Sequence, residues 1–392
     1  MSRLRAAASA LLGRTGAPLP VTAPASLLEH GRRGTVALKP GAAEAATAPA
    51  LSVAVVVPSF RRGSGGHRAI ADLVRGLETR GHRCSLWIGD EERRHAGQTP
   101  AQVAATFASF FGPIAGPVRL GFDGWAGADV AVATGWQTVP RVLLLSQVRA
   151  RAYLVLDHEV EFYATSAERE WAAWTYRQEL HAIAGSAWLA DLVRTTYGAS
   201  ADAFDFGIDH DVYRPLDIAR REERVVFYAR AVTARRAVPL GLLALAELHR
   251  RRPSVSIALF GESRPLEAGF PAEDLGVLAP AQLARAYAEA TVGVVLSLTN
   301  PSLIGPEMLA CGLPVVELDS GPMRASFGHD GPLVLAPFDP LALSAAIEHL
   351  LDDPAERERR AREGLRLAGQ RTWEAATLVL ERGLRTALAR AG

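Results

Sequence analysis

What most constrains the fold of this 392-residue chain is a repeated alternation of short apolar runs with helical segments, and residues 291–318 show it in concentrated form. The run at 292–298 is apolar and bounded by polar turns, the pattern of a parallel strand buried on both faces, and residues 314–318 repeat it. Between them Pro306 suits the first position of a short helix, while Gly312 followed by Pro314 supplies a stop. Glu307 then falls in the first helical turn, facing the strand ends, where its carboxylate can accept hydrogen bonds from neutral hydroxyls. The loop 299–305 would aim backbone N–H groups into the same crevice, where a phosphate would settle. A carboxylate for hydroxyls beside amides for phosphate points to a nucleotide ligand. The plainer reading is an anion favoured by the helix start.

The same alternation runs through most of the chain. After a leader over residues 1–50, SVAVVVP (52–58) reads as a buried strand, a glycine-rich turn leads into an amphipathic helix, and RCSLWIG (83–89) is a second strand. Strands follow at 128–134, 152–157 and 180–185, with helices between them, one carrying Trp171 and Trp174. Residues 207–223 break the rhythm with Pro and clustered charge, as an inter-domain connection would, and a second alternation then starts at residue 224. The expectation is an α/β protein of two Rossmann-like, doubly wound parallel-sheet domains facing each other across a cleft. Their limits are 51–206 and 224–370, with a helix at 371–392 that fits either domain as a plain amphipathic element. The leader is expected to be irregular from residue 15 to 50, with a short amphipathic helix or frayed end before it.

With 49% hydrophobic and 22% charged residues the composition is that of a globular protein, and a formal charge of +1 gives no electrostatic case for nucleic acid. Cys84 and Cys311 fall in separate domains, which argues against a disulfide or a zinc site and for a reducing compartment. No apolar stretch reaches membrane-spanning length, so the expected location is cytoplasmic, with membrane contact peripheral at most, at the inner face.

Candidate chemistry clusters at strand ends. Arg230 ends the first strand of the second half, and Arg235 and Arg236 follow in the loop, which puts all three on the carboxyl-end rim where such sheets bind ligands. Arg230 and Arg235 could clamp a diphosphate, because a guanidinium donates two parallel hydrogen bonds and stays charged. A solvated basic loop is the plain alternative. In the first half Gly63, Gly65 and Gly66 invite a dinucleotide-binding reading, with Asp90 after the second strand. His67 and Arg68 stand where the third glycine should fall, and the glycines then serve to let a loop approach a ligand closely.

Five stretches, in this order, resemble the retaining GT-B glycosyltransferases of family GT4, and more narrowly their rhamnosyltransferase-type branch: SGGHRAIADLVRGL, DHEVEFYA with its tryptophan-bearing helix, FGIDHDVYRP, FYARAVTARR and NPSLIGPEMLACGLPVVE. The resemblance spans residues 51–370 and implies that the helix at 371–392 crosses back onto the first domain. It implies that Arg230 and Arg235 hold the donor diphosphate, with the backbone of Ser302 and Leu303 also meeting phosphate. It further implies that Glu307 accepts from ribose hydroxyls and that the backbone near Leu278 meets the base. Gly65 and Gly66 would bring their loop to the donor, with His67 beside them. Asp157, His158, Glu159 and Glu161 would face the cleft on the acceptor side, Glu159 among the catalytic groups. The motif FGIDHDVYRP reads as the inter-domain linker, so Asp209 and Asp211 are not expected to bind metal, and neither metal nor cofactor is expected.

The family carries a pair of glutamates eight positions apart. Glu307 fits the second, whereas the first falls on Thr299, with Asn300 a substitute for gripping the sugar. The implied activity is retaining transfer of a hexose, such as rhamnose from dTDP-rhamnose, to a glycan or lipid-linked acceptor. The alternative is a non-catalytic nucleotide-sugar-binding or scaffold protein of the same fold.

Overall fold

The apolar runs assemble into two all-parallel sheets in a computed structural model that describes residues 23–392. The helix expected ahead of residue 15 lies outside the described residues. In the first sheet the strands are β1 (Ser52–Pro58), β2 (Arg83–Gly89), β3 (Val118–Leu120), β4 (Ala128–Ala133), β5 (Val148–Val155), β6 (His181–Ala184) and β7 (Ala201–Ala203), in the order β3-β2-β1-β4-β5-β6-β7. The second holds β8 (Arg224–Tyr228), β9 (Ser256–Phe260), β10 (Glu273–Asp274), β11 (Val292–Val294), β12 (Val315–Leu318) and β13 (Leu333–Ala336), in the order β10-β9-β8-β11-β12-β13. Helices cover both faces of each sheet, which is why the central strands are apolar throughout: β1 is buried from Val53 to Val57 and β12 along its whole length.

Both orders reverse at the first strand of the unit. β1 lies between β2 and β4, and β8 between β9 and β11. At such a point the connections leave the strand ends in opposite directions and a crevice opens beyond the carboxyl ends. The ends of β1 and β8 therefore locate the candidate site before any side chain is considered.

One segment departs from the sequence reading. The leader, expected to be irregular to residue 50, forms helices Ala25–Arg33 and Ala42–Thr47. They are too short to stand alone in water and owe their order to docking. The peptide N–H of Val36 donates to the Leu143 carbonyl at 3.0 Å and that of Lys39 to the Val148 carbonyl at 2.7 Å. Arg385 Nη1 donates to the Ala46 and Ala48 carbonyls at 2.9 and 2.8 Å.

The last helix, Trp373–Ala391, belongs to the first domain, where Leu380, Leu384 and Leu388 enter the same core as Leu73, Leu77 and Ile183. Gly383 permits that approach, since a Cβ there would lie 2.6 Å from Ile183 Cγ1. The chain thus passes between the domains twice, and the two passages touch: Ile208 N–H donates to the Arg371 carbonyl at 3.1 Å.

Candidate functional site

The two switch points face one another, and Arg230 stands at the second. It lies two residues beyond β8, partly exposed, and its guanidinium makes no hydrogen bond or ion pair among the described residues. Opposite is the first-domain turn after β1. Of its three glycines only Gly63 takes left-handed backbone, at φ +76°, and a Cβ there would come within 3.1 Å of Arg230 Nη1. Gly65 and Gly66 open the helix Gly65–Thr79, Gly65 against Leu303 and Gly66 against Leu156.

Arg235 is committed. Its Nε donates to Asp157 Oδ2 at 2.8 Å across the domain boundary, and its guanidinium lies 3.9 Å from the centroid of the Phe162 ring. Asp157 also accepts, through Oδ1, the peptide N–H of Asn300 at 3.1 Å. Asn300 is 0% exposed, and its side-chain atoms are spent on the first domain. Its Nδ2 donates to the carbonyls of Leu156 and Gly185 at 3.0 and 2.9 Å, and its Oδ1 accepts from the Ser186 hydroxyl at 2.6 Å. A buried amide bonded in this way joins the domains and leaves nothing to grip a sugar. Its neighbour Thr299, 2% exposed, buries a hydroxyl that has no hydrogen-bond partner among the described residues, and so does Ser302.

Arg236, expected on the rim with Arg230 and Arg235, turns inward. Its Nη1 donates to the Ser297 hydroxyl at 2.6 Å, beside Glu317, whose Oε1 accepts the N–H groups of Ser297 and Leu318 at 2.7 and 2.9 Å. Burial pushes the Glu317 carboxyl up to about 8, against these hydrogen bonds and the Arg236 charge. This pair supports the loop that carries Arg235 from beneath.

Glu307 is buried in the helix Ile304–Ala310, which begins two residues before Pro306, the predicted first position. Proline is still tolerated there because the first N–H groups of a helix have no internal partner. Burial pushes the Glu307 carboxyl up to about 8. The Arg68 charge and the nearby Tyr213 hydroxyl act in the opposite direction. Neither neighbour was singled out from sequence, although each lies inside a quoted motif. Arg68 also approaches Asp209 at 3.9 Å, and Asp209 Oδ1 accepts the Asp211 N–H at 3.2 Å.

The remaining candidates separate. Glu159 Oε2 accepts from the Trp136 N–H at 2.6 Å and the Tyr153 hydroxyl at 2.8 Å, and burial outweighs these bonds to bring its carboxyl up to about 7. His67 is held between the Ser64 hydroxyl at 2.8 Å and the Pro58 carbonyl at 3.2 Å, with burial pulling it down to about 4, so it is neutral and both ring nitrogens are used. His158 turns to the Tyr197 hydroxyl at 2.8 Å, away from Arg230 and Arg235. Glu161, the most exposed of the group, pairs with Arg169 at 3.1 Å. Leu278 packs its side chain at the edge of the second-domain core. Arg230, with no side-chain partner among the described residues, and the Arg235 fork, anchored at one end, thus stand at the domain boundary, while Glu307 and Glu159 are recessed carboxyls whose hold on a proton burial raises.

Comparison with known proteins places this geometry. A family described as WsaF, C-terminal domain, matches residues 223–348. The chain is 29% identical over 340 residues to an O-antigen biosynthesis protein, RfbC, from Myxococcus xanthus, a match that covers 84% of this chain and 26% of that one. It is 31% identical over 207 residues to a D-inositol 3-phosphate glycosyltransferase from Segniliparus rotundus, covering 46% of each chain. The matched part is thus about a quarter to about half of the length of these relatives. Among solved structures, Anabaena HepE in complex with UDP and glucose superposes with a TM-score of 0.65 at 15% identity, over 86% of this chain and 100% of that one. The fold is that of the GT-B glycosyltransferases.

Proposed function

We propose that this chain, which has the GT-B fold, transfers a sugar from a nucleoside diphosphate sugar to a hydroxyl of a glycan or lipid-linked acceptor. The observation that carries the reading is Arg230, a cation with no protein partner among the described residues, set at a topological switch point where such sheets bind ligands. Its likeness to an O-antigen biosynthesis protein and to a glycosyltransferase that acts on an inositol phosphate supports the same class of chemistry.

In this reading the donor diphosphate lies between Arg230 and the free end of the Arg235 fork, which neutralise the charge that develops as the nucleoside diphosphate departs. Ser302 and Leu303 lead into the helix Ile304–Ala310 beside the same phosphates, and Glu307 receives the ribose hydroxyls. Asp157 anchors Arg235 through Nε alone, which leaves its two terminal nitrogens for phosphate. The acceptor hydroxyl attacks from the face that the leaving group vacates, the bond from the sugar to the diphosphate breaks, the departing diphosphate oxygen takes the acceptor proton, and the configuration is retained, without a metal. Glu159 is placed to exchange a proton near neutral pH. The sugar is a deoxyhexose such as rhamnose carried by dTDP, and the reaction is cytoplasmic, at most peripheral to a membrane. No helix among the described residues is long and apolar enough to cross one.

A non-catalytic nucleotide-sugar-binding protein of the same fold is the second reading. It is favoured by Asn300, whose side chain is wholly taken up by the domain junction. The two readings separate when purified protein is incubated with a panel of nucleotide sugars and an acceptor extract. Release of nucleoside diphosphate that is lost in Arg230→Ala supports the enzyme, and saturable donor binding with no product supports the binding protein.

A further inference from the structure

A second cavity opens on the first domain at the opposite edge of its sheet. It holds about 710 Å³, within the usual range for small-molecule sites, and is walled by four separate chain segments: 35–38 of the leader, 176–181, 197–200 and 387–391 of the last helix. His181 is the first residue of β6 and Arg151 lies in the amino-terminal half of β5, whereas the cleft lies beyond the carboxyl ends of the strands.

The charges on these walls are unbalanced. Arg151 is only 8% exposed, and its bonds go to carbonyls alone: Nε to Val142 at 2.9 Å, and Nη2 to Val36 at 2.8 Å and to Leu145 at 3.0 Å. No carboxylate pairs with it among the described residues. Its Nη1 makes no hydrogen bond there and is not sealed from solvent, which leaves it to the cavity. A guanidinium so deeply placed is ordinarily matched by an anion, because removing it from water costs more than neutral carbonyls return.

Burial lowers its proton affinity, bringing it down to about 10, and it remains a cation at neutral pH. Arg177, 5.5 Å from the centroid of the Tyr197 ring, and Arg390 line the same cavity, and neither side chain makes a hydrogen bond or ion pair among the described residues. Glu179 is the one carboxylate among the lining residues. His181 adds no free donor, since its nitrogens face Ser200 and Asp202 at 2.9 and 3.0 Å.

We propose that this cavity is a second anion-binding site, separate from the cleft, that takes a phosphate- or carboxylate-bearing ligand on Arg151, Arg177 and Arg390. It does not depend on the transferase reading, because every residue that forms it lies outside the cleft. Such a ligand is either a soluble phosphorylated compound or an acidic lipid headgroup, since both present the same oxygens to a guanidinium.

The test uses the full chain carrying Arg230→Ala, to weaken anion binding in the cleft, titrated with inorganic pyrophosphate in a calorimeter. Saturable binding is expected, at least tenfold weaker when Arg177→Ala and Arg390→Ala are added and restored when both positions carry lysine. The lysine pair guards against a folding defect, as does comparison of unfolding midpoints without ligand. Sedimentation with phosphatidylglycerol vesicles, but not phosphatidylcholine vesicles, that disappears in the alanine pair assigns the ligand to a lipid headgroup. Pyrophosphate binding without sedimentation assigns it to a soluble anion. Absence of both, or pyrophosphate binding unaffected by the alanine pair, overturns the proposal.

Discussion

Asp157 Oδ2 accepts a hydrogen bond from Arg235 Nε at 2.8 Å, and through this bond a carboxylate of the first domain orients an arginine of the second. The other oxygen of the same carboxylate holds the Asn300 N–H at 3.1 Å, so both loops that border the proposed phosphate site are tied to one side chain. Asp157→Ala should raise the donor KM by about 10- to 150-fold, which corresponds to the ~1.5–3 kcal/mol of a hydrogen bond to a charged group. Because both changes remove one shared contact, Asp157→Ala combined with Arg235→Ala should cost little more than the worse single variant. Strictly additive losses of kcat/KM would show that the pair does not act as a unit.

The Arg230 guanidinium makes no hydrogen bond or ion pair among the described residues, so its replacement should affect chemistry and leave folding alone. Arg230→Ala is expected to lower kcat by about 10²–10³, the usual effect of deleting one donor that stabilises developing charge. Its unfolding midpoint should match the parent. Parent-level turnover in a variant of unchanged stability would remove Arg230 from the leaving-group site.

Glu307 and Glu317 each have their carboxyl pushed up to about 8, and Glu159 to about 7, all by burial. Between the ordinary carboxylate range and these values the folded chain binds more protons than the unfolded one, so stability falls as pH rises from about 5 to 8 and levels off above. Glu307→Gln removes one of these groups, and its stability should decline less over that interval. Chemical denaturation at pH 5.5 and 8.5 measures the difference, and an unchanged slope would refute the burial argument. In the same variant the donor KM should rise more than kcat falls, because a ribose contact is remote from the breaking bond.

Leu384 is fully buried in the core of the first domain although it lies beyond the end of the second. Leu384→Ala should destabilise by about 2–5 kcal/mol, the range for a deeply buried leucine that leaves a cavity. If the helix contributed no more than a surface element would, hydrogen exchange of β5 and β6 would be unchanged in the variant; accelerated exchange in both strands is the expected result.

Much of the framework was legible because it rests on local patterns. Parallel strands buried on both faces must be apolar along their length, so β1, β8, β11 and β12 announced themselves, and the segments that follow β8 and β11 then located Arg230 and Glu307. Short amphipathic pieces were harder. The leader helices have too few turns to show a period, and the last helix has an apolar stripe that would fit either domain.

Side-chain direction was not legible. Arg235 and Arg236 are adjacent in sequence, yet one reaches across the boundary to Asp157 and the other turns down toward Ser297 and Glu317. His67 and His158 likewise stand beside the right residues and point at Pro58 and Tyr197.

From its sequence alone this protein determines two doubly wound sheets and the strand ends at which a ligand would lie, because hydrophobic period and turn chemistry act over a few residues. Only the tertiary structure decided that Asn300 belongs to the domain junction, that Arg235 is anchored by Asp157 and that the Arg230 guanidinium has no partner among the described residues. Those outcomes depend on which groups from distant parts of the chain are near enough to satisfy each buried donor and acceptor, and that proximity exists only after the two domains meet.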